Sequence, residues 1–175
     1  MRFFADYDRS AAVLYAHQWA YGRNPAFYDY ENLGGDCTNF ASQCVFAGSG
    51  VMNFTPDFGW YYIDANQKSP SWTGVPYFWN FMTRKEPSVG PVGIACDLTD
   101  LRPGDLVQLS FNGEEFQHTP VVRLAPGEHV TELVGDESRQ FTGYRPVINR
   151  LEHTHIGGDG IPAISSQAEI MFKSF

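Results

Sequence analysis

The 175-residue sequence has no apolar run long enough to cross a bilayer, because a spanning helix needs roughly 20 consecutive apolar residues. It is also short of cationic side chains: 12 Lys and Arg stand against 20 Asp and Glu, a formal net charge of −8. A chain of that sign repels phosphate backbones and anionic lipid, so neither nucleic acid nor a membrane surface is expected as a partner. Cysteine is scarce, with only Cys37, Cys44 and Cys96. An odd count in a chain of this size argues against a disulfide framework. Cys37 and Cys44 on one helix would stand two turns apart, roughly 10 Å along the axis, which is too far to bond. No Cys-x-x-Cys pair occurs, so no structural zinc and no cofactor are expected. The opening MRFFADYDRS has no apolar stretch of signal-peptide length. As written, the chain is expected to be cytoplasmic.

What is present fits one folded domain over residues 1–175. Hydrophobic residues make up 43% and charged residues 18%, the balance of a chain with a packed core rather than a disordered one. Aromatics reach 15%, enough to supply core volume and to wall a groove as well. Residues 8–21 read as an Ala-rich helix, with Asp6 or Asp8 at its start and Gly22 as its stop. Residues 23–35 read as loop. A second helix is expected from Cys37 to Ala47, with Gly48-Ser-Gly50 ending it. The stretch 51–76 reads as a long ordered surface segment, and Val75 to Met82 as a short third helix.

After Pro87 the pattern changes to short runs of Val, Ile, Leu and Phe at 105–111, 117–124, 129–135, 144–151 and 168–175. Asn112-Gly113 and Pro126-Gly127 punctuate them, the signature of an antiparallel sheet built from hairpins. Helices first and strands after predict an α+β fold.

Chemistry concentrates at Gly34-Gly35-Asp36-Cys37-Thr38-Asn39-Phe40. The glycines permit a tight loop, and a thiol at the following helix start meets unpaired N–H groups and the positive end of the helix dipole. Both favour thiolate. The same N–H groups, Cys37's own first, could hold an oxyanion forming beside the sulfur. A second element runs from Leu101-Arg-Pro-Gly-Asp105 through a strand and a hairpin to His118, a group whose ordinary pKa suits it as a base for a thiol. A third residue is then expected to orient the imidazole. Asp136, closing the next strand, is placed first and Glu132 second. Asp36 either supports the oxyanion site or caps the helix, with capping favoured. Asn39 and Gln43 are expected to bond locally. His153 and His155 alternate on a strand-like stretch with Asp159 beyond, but further ligands at metal spacing are missing. Trp60, Tyr61, Tyr62, Trp72 and Trp79 could wall a groove, with core packing expected for at least half of them.

The run Gly-Asp-Cys-Thr-Asn-Phe-Ala-Ser-Gln-Cys at 35–44 resembles the signature of the amidase-domain family of papain-like cysteine hydrolases. Residues 7–16 are similar to that family's opening helix, and Trp72-Thr-Gly-Val75 to its middle segment. Leu101 to Asp105 with His118 resembles the element shared with CHAP and NlpC-type peptidases. The likeness covers residues 7–148 in order. It implies a papain-like α+β fold, Cys37 as nucleophile, His118 as base, and peptide or peptidoglycan-type amides of the bacterial cell wall as substrates. It carries over no third residue, since Leu133-Val-Gly-Asp136 stands where family members often have a Tyr-His-Thr-type stretch. Two other readings use the same residues. One is a non-catalytic peptide- or glycan-binding module with an inert thiol. The other is an acyltransferase, in which an amine replaces water.

Overall fold

The computed structural model describes residues 3–85, 88–97 and 100–122, and beyond them the backbone of four short strands; at Phe3 and Phe4 it likewise describes the backbone alone. Helix α1 spans Arg9–Trp19. It starts where expected because Asp8 Oδ1 accepts the Ala11 N–H at 2.9 Å, satisfying one of the helix's orphan donors. Helix α2 spans Cys37–Ser49 and ends at Gly50, whose φ of 66° is the left-handed geometry that glycine supplies cheaply. The two helices pack together, and Tyr15 Oη donates to Gln43 Oε1 across them at 2.7 Å. Gly48 of α2 sits against the residues that lead into α1. A Cβ there would fall 2.3 Å from the Tyr7 ring and 2.8 Å from the Asp8 carbonyl oxygen, which excludes any larger residue.

The aromatic-rich segment after α2 folds back on itself through bridges at Asn53–Trp60 and Tyr62–Lys68. It continues into α3 (Pro70–Thr73) and α4 (Val75–Met82). Trp60, Trp72, Phe78 and Met82 are completely buried here. The indole rings of Trp60 and Trp72 lie 4.8 Å apart. Both ring N–H groups are satisfied, as burial requires: Trp60 Nε1 donates to Ser42 Oγ at 3.0 Å and Trp72 Nε1 to Asn39 Oδ1 at 2.8 Å. The aromatic segment is thereby fastened to α2.

The second half is an antiparallel sheet. Its strands are β2 (Ile94–Ala95), β3 (Leu106–Ser110), β4 (Val121–Val122), β5 (Leu133–Val134) and β6 (Gly143–Ile148), in the order β2-β6-β3-β4-β5; β8 (Lys173–Ser174) also pairs with β6. A separate pair joins β1 (Phe3–Ala5) to β7 (Thr154–Ile156). The α+β architecture is as expected, with helices first and sheet after. The order departs from a plain succession of hairpins, because β6 lies along β3's other edge, with Leu109 opposite Tyr144. The ladder before β4 is also shorter than the sequence suggests. Pro120 has no N–H to donate, so His118 pairs with Leu109 as an isolated bridge and regular pairing resumes only at Val121.

All five residues of β3 are buried. Leu106 joins the main core, while Val107 and Leu109 join Leu101 and Val122 in a second cluster. Successive residues of a strand face opposite sides, so β3 is covered on both. The Pro103-Gly-Asp105 turn leading into it is tied to the N-terminus. Arg9 Nη1 donates to Asp105 Oδ1 at 2.7 Å and to the Pro103 carbonyl at 3.2 Å, and Tyr7 Oη donates to the Gly104 carbonyl at 3.3 Å. Among the described residues, no helix is long and apolar enough to cross a membrane.

Candidate active site

The chain enters the site through Gly34 and Gly35, with φ of 105° and 109°. These turns bring Asp36 to the head of α2. Asp36 does not cap the helix, which corrects the sequence expectation. Its backbone is already helical, at φ −105° and ψ −2°, whereas a capping residue is normally extended. The carboxylate is turned back toward the loop instead. Oδ1 accepts the Tyr30 N–H at 3.0 Å and Asn39 Nδ2 at 2.8 Å, and Oδ2 lies 3.4 Å from Arg23 Nε. Burial pushes the Asp36 carboxyl above its ordinary value, opposed by the Tyr30, Asn39 and Arg23 donors. Asn39 is buried and bonded at both ends of its amide: Nδ2 also donates to the Tyr28 carbonyl at 3.0 Å, and Oδ1 receives the Trp72 indole. Asp36 and Asn39 therefore brace the loop that delivers Cys37.

Cys37 is the first residue of α2 and is half-buried. Burial pushes its thiol above the ordinary value. Backbone N–H groups of Thr119 and Thr38 and the Thr38 hydroxyl pull the other way, and the nearby Asp36 charge raises it further. At this helix start, burial therefore opposes the thiolate that the donors and the helix dipole favour. Cys44, two turns along, is buried among apolar groups and its thiol is pushed higher still. Cys96 is half-buried, and none of the three cysteines is in a disulfide.

His118 is buried, 7% exposed, and is held to the sheet by its bridge to Leu109. Its carbonyl accepts the Leu109 N–H at 2.9 Å, and its ring lies beside Phe111 at 6.1 Å. The next residue, Thr119, touches both parts of the α2 start. Its N–H pulls the Cys37 thiol down, against burial, and its hydroxyl stands 3.2 Å from that of Thr38. The dipeptides Cys37-Thr38 and His118-Thr119 are thus brought together from elements 81 positions apart. Behind them, Gln108 Nε2 donates to Thr119 Oγ1 at 3.3 Å and to the Val75 carbonyl at 3.1 Å. Sequence reasoning passed over Thr38, Thr119 and Gln108. The signal available was a threonine directly after each candidate catalytic residue.

Residues 6–139 match the family described as "Putative amidase domain". The chain belongs to this amidase-domain family. The matched span takes in Cys37, His118 and Asp136. A curated relative from Bacillus subtilis (strain 168), "Uncharacterized protein YhbB", is 34% identical over 119 residues, covering 66% of this chain and 37% of its own length. The amidase-domain chain thus spans well under half of that relative. No solved structure matches it.

Other expectations resolve differently in this amidase-domain chain. Asp136, Glu132, His153 and Asp159 lie outside the described residues. His155 lies in β7, its backbone paired with Phe4. No group of three or more His, Cys, Asp or Glu able to hold a metal occurs among the described residues. Trp60, Tyr62, Trp72 and Trp79 are buried in the core, the role expected for at least half of the five. Tyr61 alone of the five is half-buried, its ring 5.3 Å from that of Phe54.

Proposed function

We propose that this amidase-domain chain is a cysteine-dependent hydrolase of amide bonds, built as one papain-like domain, with Cys37 as nucleophile and His118 as base. The observation that carries this is the meeting of Cys37-Thr38 with His118-Thr119, through the Thr38 and Thr119 hydroxyls at 3.2 Å. Burial pushes the thiol above its ordinary value. His118 therefore takes the thiol proton as sulfur bonds to the carbonyl carbon, acting as a general base rather than as half of a standing ion pair. The oxyanion is held by N–H groups of the first turn of α2. Collapse breaks the C–N bond, and the imidazolium returns its proton to the leaving amine. Water, deprotonated by His118, then cleaves the thioester to a carboxylate and restores the thiol.

Asp136 orients the imidazole in this scheme, with Glu132 as its substitute; Asp136→Asn and Glu132→Gln decide between them by which lowers kcat with KM little changed. Peptide and peptidoglycan-type amides are the proposed substrate class, in keeping with an amidase-domain family. The test is mass-spectrometric screening of such amides for turnover and for an acyl adduct on Cys37. Cys37→Ser and His118→Asn are each expected to lower turnover at least about a thousandfold. Turnover surviving in Cys37→Ser would overturn the scheme. Binding without turnover by the unaltered chain would make it a recognition module.

A further inference from the structure

We propose that Gln108, Thr119 and Thr38 form a directed hydrogen-bond relay that turns the Thr38 hydroxyl onto Cys37 Sγ as a donor whenever the sulfur is ionised. The inference rests on Cys37 being the nucleophile and adds to that reading a residue that touches the reacting atom.

The direction follows from counting hydrogens. The Val75 carbonyl can only accept, so it is the nitrogen of the Gln108 amide, and not the oxygen, that faces it at 3.1 Å. That nitrogen carries a second hydrogen, which goes to Thr119 Oγ1 at 3.3 Å. The Thr119 oxygen is thereby an acceptor, and its own hydrogen is available for Thr38 Oγ1 at 3.2 Å. Thr38 then has one hydrogen left, and Cys37 Sγ lies 3.8 Å from its oxygen, within the longer reach of a bond to sulfur. A thiolate can only accept. In the ionised state every donor of the chain from Gln108 to the sulfur has an acceptor within it. In the thiol state the S–H can donate to Thr38 and Thr38 to Thr119, which leaves the Thr119 hydrogen outside the chain. Ionisation of Cys37 thus fixes both hydroxyl rotors in one direction, while Gln108 stays pinned by the α4 carbonyl.

Burial gives the relay its strength. Gln108 is completely buried, and Thr38 and Thr119 are each 1% exposed. Water cannot replace a missing hydroxyl there, and each bond acts in a medium of low polarity. Among the described residues, Asp36 precedes the sulfur and opposes its ionisation, Arg23 reaches Asp36 from the loop, and His118 stands on the sheet next to Thr119. The relay works against burial and Asp36, and alongside the Thr119 N–H.

The test reads the pH dependence of iodoacetamide alkylation at Cys37 in the folded full chain, with peptide mapping to exclude Cys44 and Cys96. Thr38→Val removes the hydroxyl at nearly constant shape. It should raise the midpoint by about one pH unit and slow alkylation about tenfold below it. Thr38→Ser should restore the rate to within about twofold, which packing alone would not do. Gln108→Met should move the midpoint in the same direction by less, since Thr119 loses only its pin. If Thr38→Val fails to fold, Thr119→Val carries the same test one link upstream. An unmoved midpoint in the valine variant, or a serine variant as impaired as the valine one, overturns the relay. Alkylation needs no amide substrate, so the two readings fail separately. Shifted midpoints without turnover sink the hydrolase and spare the relay; Cys37-dependent turnover with an unmoved midpoint does the reverse.

Discussion

Arg9 Nη1 donates to Asp105 Oδ1 at 2.7 Å, and the Asp105 side chain it meets is wholly buried. One ion pair thus joins the first turn of α1 to the start of β3, and Asp105 Oδ2 also accepts the Arg102 N–H at 2.7 Å. A buried carboxylate held on both oxygens is costly to disturb from either side. Asp105→Ala leaves the Arg102 N–H and the guanidinium without this acceptor, and Arg9→Met leaves the buried charge without this cation. Each is expected to lower unfolding free energy by about 3 kcal/mol, read from urea denaturation. A loss below about 1 kcal/mol in both would mean that the pair does not hold the two halves together.

The same contact shows what could be read before any coordinates. Residues 7–9 and 103–105 stood out as separate stretches, but nothing local says that they touch. Helices α1, α2 and α4 were legible because their ends are chemically marked, by Asp8, Gly50 and the Gly74-Val-Pro entry. The order of the strands was not, since β6 reaches β3 across a long sequence separation and side-chain alternation carries no information about neighbours. Strands β1 and β2 are too short to show a period. Cys37 and His118 could be picked out by position. The protonation state of the thiol could not, because it depends on how much water the fold removes. Core packing could be expected for at least half of the five candidate aromatics, but not which ones, because composition does not say which face of the chain is inside.

Alkali should unfold this protein through two tyrosines. Burial pushes the phenols of Tyr15 and Tyr30 up to about 12 each. Unfolded phenols ionise near pH 10. Between roughly pH 10 and 12 the unfolded chain therefore loses protons that the folded chain retains, so stability is complete below about pH 10 and falls as pH rises through the folded values. The melting temperature should be level up to about pH 9.5 and then decline, with late phenolate absorbance appearing together with unfolding. A Tyr15→Phe/Tyr30→Phe double variant loses the Gln43 and Ala65 bonds. It should start lower and decline less steeply. An equal slope in the variant would assign the alkaline loss to other groups.

Asp36 offers a way to separate bracing of the thiol from its electrostatics. Both buried bonds, from the Tyr30 N–H and from Asn39 Nδ2, go to Oδ1, while Oδ2 faces Arg23, whose side chain is 40% exposed. Asp36→Asn can therefore keep its oxygen where both donors need it and present the new amide nitrogen toward Arg23, which is free to swing into solvent. The cost should be that of a partly exposed ion pair, about 1 kcal/mol or less. The charge beside Cys37 is gone, and since that charge raises the thiol, the alkylation midpoint of Cys37 should fall. Asp36→Ala removes the acceptor itself. Two buried donors are then unsatisfied, with a loss of about 2–4 kcal/mol at roughly 1–2 kcal/mol for each group, and the loop that presents Cys37 loses its fastening to Tyr30. Its alkylation profile should broaden rather than shift cleanly. If the asparagine variant instead raised the midpoint, the carboxylate would be assisting ionisation, and its place in the site would be with the reacting groups and not with the brace.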